Sequence, residues 1–198
     1  MGANVSTLID NTKLYYGYSH KSIRQSSIHK KKREHIKLRQ SSRLANKHFH
    51  PYVLCIIDMQ PESFSNSIII IKDVVELVRE AIAKKAFIIV AHYNRCGETH
   101  IDITNELVNY PYKHYVWANI NDKSCKIKQA LIERKVFTRK IQVCGVNTEY
   151  CVWETVNGLA RKFHAPIKVI EKACNGTDLT VPIALNHMRT TYKNVEVI

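Results

Sequence analysis

From residue 51 onward, short unbroken apolar runs alternate with segments whose apolar positions recur every three or four residues. Residues 52–57 form the first run, closed by Asp58. Such a run predicts a strand covered on both faces. Val74, Val75, Leu77, Val78, Ala81 and Ile82 follow, spaced between charged residues. That spacing predicts an amphipathic helix. Strand-like runs recur at 86–91, 115–118, 141–145, 167–171 and 195–198, with helical patterns at 124–135, 150–163 and 182–190. Strands alternating with helices predict βαβ units: an α/β domain of three layers, α/β/α, around a six-stranded, mostly parallel sheet. In open sheets of this kind, sites form beyond the carboxyl ends of the strands. That rule picks out Asp58, His92 and residues 145–151.

Charge divides the chain differently. The 198 residues carry a net charge of +13, and residues 1–50 hold 11 Lys and Arg against only Asp10 and Glu34. Serines are frequent there and apolar residues sparse, a composition that does not build a core. The expected organisation is a basic, irregular arm over 1–50 and a folded domain over 51–198. Met1 to Ser6 fits M-G-x-x-x-[ST], which makes Gly2 a candidate for myristoylation. One myristoyl chain needs a second signal for stable anchoring. Lys30, Lys31, Lys32 and Arg33, then Lys37, Arg39 and Arg43, supply one. The arm (residues 1–47) is therefore expected to meet an anionic membrane, and the protein to be cytoplasmic and membrane-associated. Binding of nucleic acid through 20–47 is the weaker alternative, because few aromatics interleave with the charges. No apolar run approaches the roughly 20 residues that span a bilayer. Six cysteines occur without a CxxC pair, which argues against a structural zinc site and for a reducing compartment.

The segment Gly145-Val146-Asn147-Thr148-Glu149-Tyr150-Cys151-Val152 joins the end of a predicted strand to the start of a predicted helix. A thiol at a helix N-terminus has its thiolate favoured by unpaired N–H groups and the macrodipole. The same N–H groups can hold an oxyanion. Cys151 is thus a candidate nucleophile, expected to be the most readily alkylated of the six thiols. Asp58, at the end of the first strand, is a candidate proton carrier for it.

The stretch Ile56-Ile57-Asp58-Met59-Gln60, with Phe64 shortly after, together with Gly145-Val146-x-Thr148-Glu149-x-Cys151-Val152, resembles the two motifs of the isochorismatase-like cysteine hydrolases. That family includes nicotinamidases and N-carbamoylsarcosine amidases. Thr155, Ala160 and Ala173-Cys174 continue the likeness, which covers residues 51–198 and is absent from 1–50. The resemblance implies a sheet of order 3-2-1-4-5-6. It implies Cys151 as nucleophile and Asp58 as the residue that takes and returns its proton. It also implies a cis peptide at Val146–Asn147 and an oxyanion hole from the N–H groups of Asn147 and Cys151. The implied reaction cleaves a C–N bond of a small amide through a thioester at Cys151.

One departure stands out. The family's lysine, at the end of the third strand, would fall near Ala118, where there is none. Lys113 and Lys123 flank the position, and Lys123 is the candidate substitute. Without a cation the pair loses a partner for the thiolate. A catalytically impaired member, retained as a membrane-associated or virion-like structural or binding protein, is therefore the alternative reading. The Asp that would precede His92 in a metal-binding relative is missing, and His100 and His114 meet no ligand spacing, so no metal and no cofactor are expected. His92, Trp117 and Tyr150 are candidate pocket walls for a small-molecule substrate. Homo-oligomerisation is left open.

Overall fold

The computed structural model describes residues 48–177 and 180–198. Gly2, the basic run and the rest of the arm to residue 47 lie outside the described residues. The elements are β1 (His48–His50), β2 (Val53–Ile57), α1 (Ile71–Ala83), β3 (Phe87–Tyr93), α2 (Ile101–Leu107), β4 (Lys113–Ala118), α3 (Ser124–Glu133), β5 (Val136–Thr138), β6 (Ile141–Val146), α4 (Trp153–Lys162), β7 (Ile167–Asn175), α5 (Thr180–Thr191) and β8 (Val195–Val197). Six strands form one wholly parallel sheet of order β4-β3-β2-β6-β7-β8. This is the 3-2-1-4-5-6 arrangement.

Alternation along β2 explains the layers. Val53, Cys55 and Ile57 point to one face, where Ile127 and Leu131 of α3, Val156 and Leu159 of α4 and Leu185 and Met188 of α5 cover them. Leu54 and Ile56 point to the other, under Val74 and Val78 of α1 and Ile103 and Leu107 of α2. Every residue of β2 is therefore buried, as an unbroken apolar run requires.

Three features differ from the pattern. Helix α2 buries only Ile103 and Leu107 among polar neighbours, too few positions to set a period. His48–His50, which the pattern leaves in the arm, pairs in parallel with Val136–Thr138 as a separate two-stranded sheet. Three-residue strands carry no readable alternation. The helix expected over 150–163 opens as a π-helical turn at Thr148–Val152 before α4.

Gly145 decides how the two central strands end. It pairs with Ile57, has φ +138°, and a Cβ placed on it would collide with the Ile57 carbonyl. Only glycine permits that approach. The strand ends carrying Asp58 and the turn to Cys151 are thereby brought side by side. No helix among the described residues is long and apolar enough to cross a membrane.

Candidate active site

Each strand end at the site turns through a left-handed residue, Asp58 (φ 53°) after β2 and Asn147 (φ 55°) after β6. Asp and Asn are the non-glycine residues that tolerate this region best. The Val146–Asn147 peptide, expected to be cis, is trans, as are all peptides among the described residues. The chain reverses through the left-handed Asn147 instead, so the turn does not need the costlier isomer. The Tyr150 and Val152 N–H groups both donate to the Asn147 carbonyl, at 2.9 and 3.2 Å.

The motif residues beside Cys151 fasten this turn. Thr148 donates to the Asn175 carbonyl at the end of β7 (2.8 Å). Buried Glu149 accepts from the Thr177 N–H (2.8 Å) and from its hydroxyl. After β2, the fully buried Gln60 accepts from the Tyr93 N–H (2.8 Å) and donates to the Tyr93 carbonyl (3.0 Å), tying the Asp58 loop to the end of β3.

Of the two flanking lysines, Lys123 is the one that reaches Asp58. It precedes α3, is fully buried, and places Nζ 2.8 Å from Asp58 Oδ2. The contact is an ion pair rather than a well-aligned hydrogen bond, since neither Asp58 oxygen has a hydrogen-bond donor of good geometry. The ammonium also lies 5.0 Å from the Tyr93 ring centroid, a cation–π distance. It donates to the carbonyls of Ile120 (3.3 Å) and Asn121 (3.4 Å). Lys113, the other flanking lysine, is spent on the carbonyls of Leu107, Val108 and Tyr110.

Helix α4 holds the lysine loop. Thr155 accepts from the Lys123 N–H and donates to the Asn121 carbonyl, both at 3.1 Å. A Cβ on Gly158 would strike the side chains of Ser124 and Asp122, so the glycine leaves room for the loop. Cys151 and Lys123 are thus both anchored by one helix, at its start and along its side.

Cys151 is 3% exposed and interacts with both Asp58 and Lys123. Its thiol is pushed up to about 12, first by burial and then by the Asp58 charge, with Lys123 opposing. Burial, the largest of these influences, favours the thiol over the thiolate. Of the six cysteines, Cys125 is the exposed one, and Cys151 is buried. Burial also raises the Asp58 carboxyl above its ordinary value, against the lowering effect of Lys123. The Cys151 thiol is 3.5 Å from its acceptor, Asn121 Oδ1.

The three pocket candidates do not gather around the sulfur. His92 and Trp117 stack on each other, with ring centroids 5.1 Å apart and planes 11° apart. Strand alternation sends them to the sheet face opposite Ala91, Val116 and Cys151. His92 is buried, pairs through Nε2 with Thr99 Oγ1, and has its pKa lowered chiefly by burial. Trp117 is 50% exposed. Tyr150 is 57% exposed and lines a separate cleft of about 220 Å³ against Trp153, Ile183 and His187. Sequence reasoning missed Asn121, Gln60 and Thr155 as site residues. Thr155 belongs to the extended motif; Asn121 carries no signal beyond its nearness to Lys123. Among the described residues, no group of three or more His, Cys, Asp or Glu is placed to hold a metal ion.

No protein-family model matches the sequence, and no curated protein matches it. Solved structures do match by shape. The MAR1 ribonuclease of Caenorhabditis elegans is 15% identical with a TM-score of 0.65, over 75% of this chain and 78% of that one. The nicotinamidase of Staphylococcus aureus is 16% identical with a TM-score of 0.64, over 75% and 99%. The N-carbamoylsarcosine amidase of Thermoplasma acidophilum is 11% identical with a TM-score of 0.61, over 74% and 94%. At these identities the likeness is one of fold. The chain therefore has the fold of the isochorismatase-like hydrolases, with the residues that resemble their two motifs at the ends of the two central strands.

Proposed function

We propose that this protein is a cysteine hydrolase that cleaves the C–N bond of a small amide. The observation that carries the reading is the buried ion pair of Lys123 and Asp58 beside Cys151. It supplies a cation that the position near Ala118 does not. In the proposed reaction the Cys151 proton passes to Asp58 as sulfur attacks the amide carbon. The N–H groups of Asn147 and Cys151 receive the developing oxyanion. The C–N bond breaks, and Asp58 returns the proton to the leaving amine or ammonia. Water then attacks the thioester, giving the acid and restoring the thiol. The raised carboxyl of Asp58 suits it to proton transfer, because a base works best with a pKa near the working pH.

Incubating the protein with a panel of small carboxamides and N-carbamoyl compounds, and measuring released ammonia, tests this. Cys151→Ala is expected to abolish release, and Asp58→Asn to lower it about 100-fold or more. A second reading, a catalytically impaired family member serving as a membrane-associated or virion-like binding protein, draws on the 3% exposure of Cys151. It prevails if wild type releases ammonia from no member of the panel.

The arm belongs to the same proposal on sequence grounds alone. Myristoylation at Gly2 and the basic run would hold the hydrolase at an anionic cytoplasmic membrane, with the nucleic-acid role kept as the alternative.

A further inference from the structure

Because the site lysine comes from the loop after β4, that loop also brings Asn121 onto the nucleophile. Every polar group of Asn121 except its N–H is engaged there. Oδ1 accepts from the Cys151 thiol at 3.5 Å, and Nδ2 donates to Glu154 Oε1 at 3.0 Å. The main-chain carbonyl accepts from Thr155 Oγ1 at 3.1 Å and Lys123 Nζ at 3.4 Å. The side chain is a primary carboxamide, held at the sulfur by groups that recognise both of its ends.

We propose that the Asn121 carboxamide occupies, in the resting protein, the seat that a substrate's carboxamide takes at Cys151, so that substrate enters by displacing it. The inference rests on the hydrolase reading and narrows its substrate class. The ligand that can inherit this seat is a small primary carboxamide: its NH2 is received by Glu154, and its oxygen, free of a fixed backbone, turns to the N–H groups of Asn147 and Cys151, which brings its carbon to the sulfur. An N-substituted amide has one N–H fewer to give Glu154 and added bulk at that point. Asn121 itself is not consumed, because the thiol meets its Oδ1 as a hydrogen-bond donor and its backbone is fixed by Thr155 and Lys123. Asn121 is thus a gating and specificity residue, and Glu154 a positioning residue that holds the gate shut.

The test is the rate at which iodoacetamide labels Cys151, mapped by mass spectrometry, with and without added benzamide or N-methylbenzamide. Asn121→Ala and Glu154→Ala are each expected to speed labelling about five-fold, the weight of one hydrogen bond. Benzamide should protect Asn121→Ala at a concentration about five-fold lower than it does wild type, and N-methylbenzamide should not. Labelling of the buried Cys55 or Cys144 would reveal an unfolded variant, and Glu154→Ala, altered on a partly exposed residue, would then carry the test. The proposal is overturned if Asn121→Ala labels no faster than wild type, or if Asn121→Leu, which fills the space without an amide, labels at the wild-type rate. Its failure is separable from that of the hydrolase reading. Faster labelling and benzamide protection, with no amide hydrolysed by any variant, keep the seat and remove the enzyme. Hydrolysis by wild type, with labelling and protection unchanged in Asn121→Ala, does the opposite.

Discussion

Lys123 and Asp58 are fully buried and 2.8 Å apart, so neither can lose the other without leaving a charge in the interior. Lys123→Met is expected to destabilise the fold by about 3–5 kcal/mol, the usual cost of breaking such a pair from one side. The loss should depend on pH. With the cation gone, the folded carboxyl rises further above its unfolded value, so the folded state holds a proton that the unfolded chain releases. Stability is then kept below the unfolded carboxylate range and lost as pH rises through the raised folded value. Urea unfolding at about pH 5 and about pH 8 checks this, with the larger deficit expected at the higher pH. Cys151 gives a second prediction at this scale. With its thiol at about 12, its alkylation rate should keep rising about tenfold per pH unit past pH 9, without a plateau there. A plateau near pH 8 would mean the thiolate is already formed. Asp58 and Cys151 were legible because strand ends and a motif mark them. Lys123 was legible only as the nearest lysine to a gap. Asn121, Gln60 and Thr155 were not, because whether a polar side chain is buried depends on the packing of distant segments.

At the scale of elements, α4 determines whether the site assembles. Its first turn follows Cys151, while Thr155 and Gly158 receive the lysine loop. Thr155→Val keeps the shape but strands the buried Lys123 N–H. It should cost about 1–3 kcal/mol and lower any amidase activity more than it lowers the melting temperature. Gly158→Leu should also slow turnover by forcing Asp122 and Ser124 away, and a crystal structure would show the Lys123 ammonium drawn off Asp58. An unmoved lysine in either variant contradicts the anchoring role of α4. The central strands and the long helices were readable because burial on one or both faces imposes a period. Helix α2 and the β1–β5 pair escaped because each has too few buried positions to impose one. The left-handed turn at Asn147 escaped too: the motif resemblance implied a cis peptide, and the backbone found a trans route through an asparagine.

For the whole molecule, charge and fold are carried by different parts of the chain. The net charge of +13 falls mostly on residues 1–50, whereas the six-stranded sheet and its helices lie C-terminal to them. Protein co-expressed with a myristoyl-transferase should float with anionic vesicles, Gly2→Ala should not, and added salt should weaken the wild-type binding by screening the basic run. Salt-sensitive binding to RNA by unlipidated protein would favour the nucleic-acid alternative. The position of β2 has a consequence for how the protein acquires its site. Its partner β6 is reached only through the registered pairs from Val53 with Ile141 to Ile57 with Gly145, and β3, α1, α2, β4, α3 and β5 all intervene in sequence. Such distant parallel pairing is slow, because the loop entropy is lost before the contacts form. Until it forms, the Cys151 thiol stays open to water and oxidant. A pulse of thiol reagent during refolding would therefore time the closure of the β2–β6 seam, and a nascent chain is most exposed to oxidative damage at Cys151 before that moment.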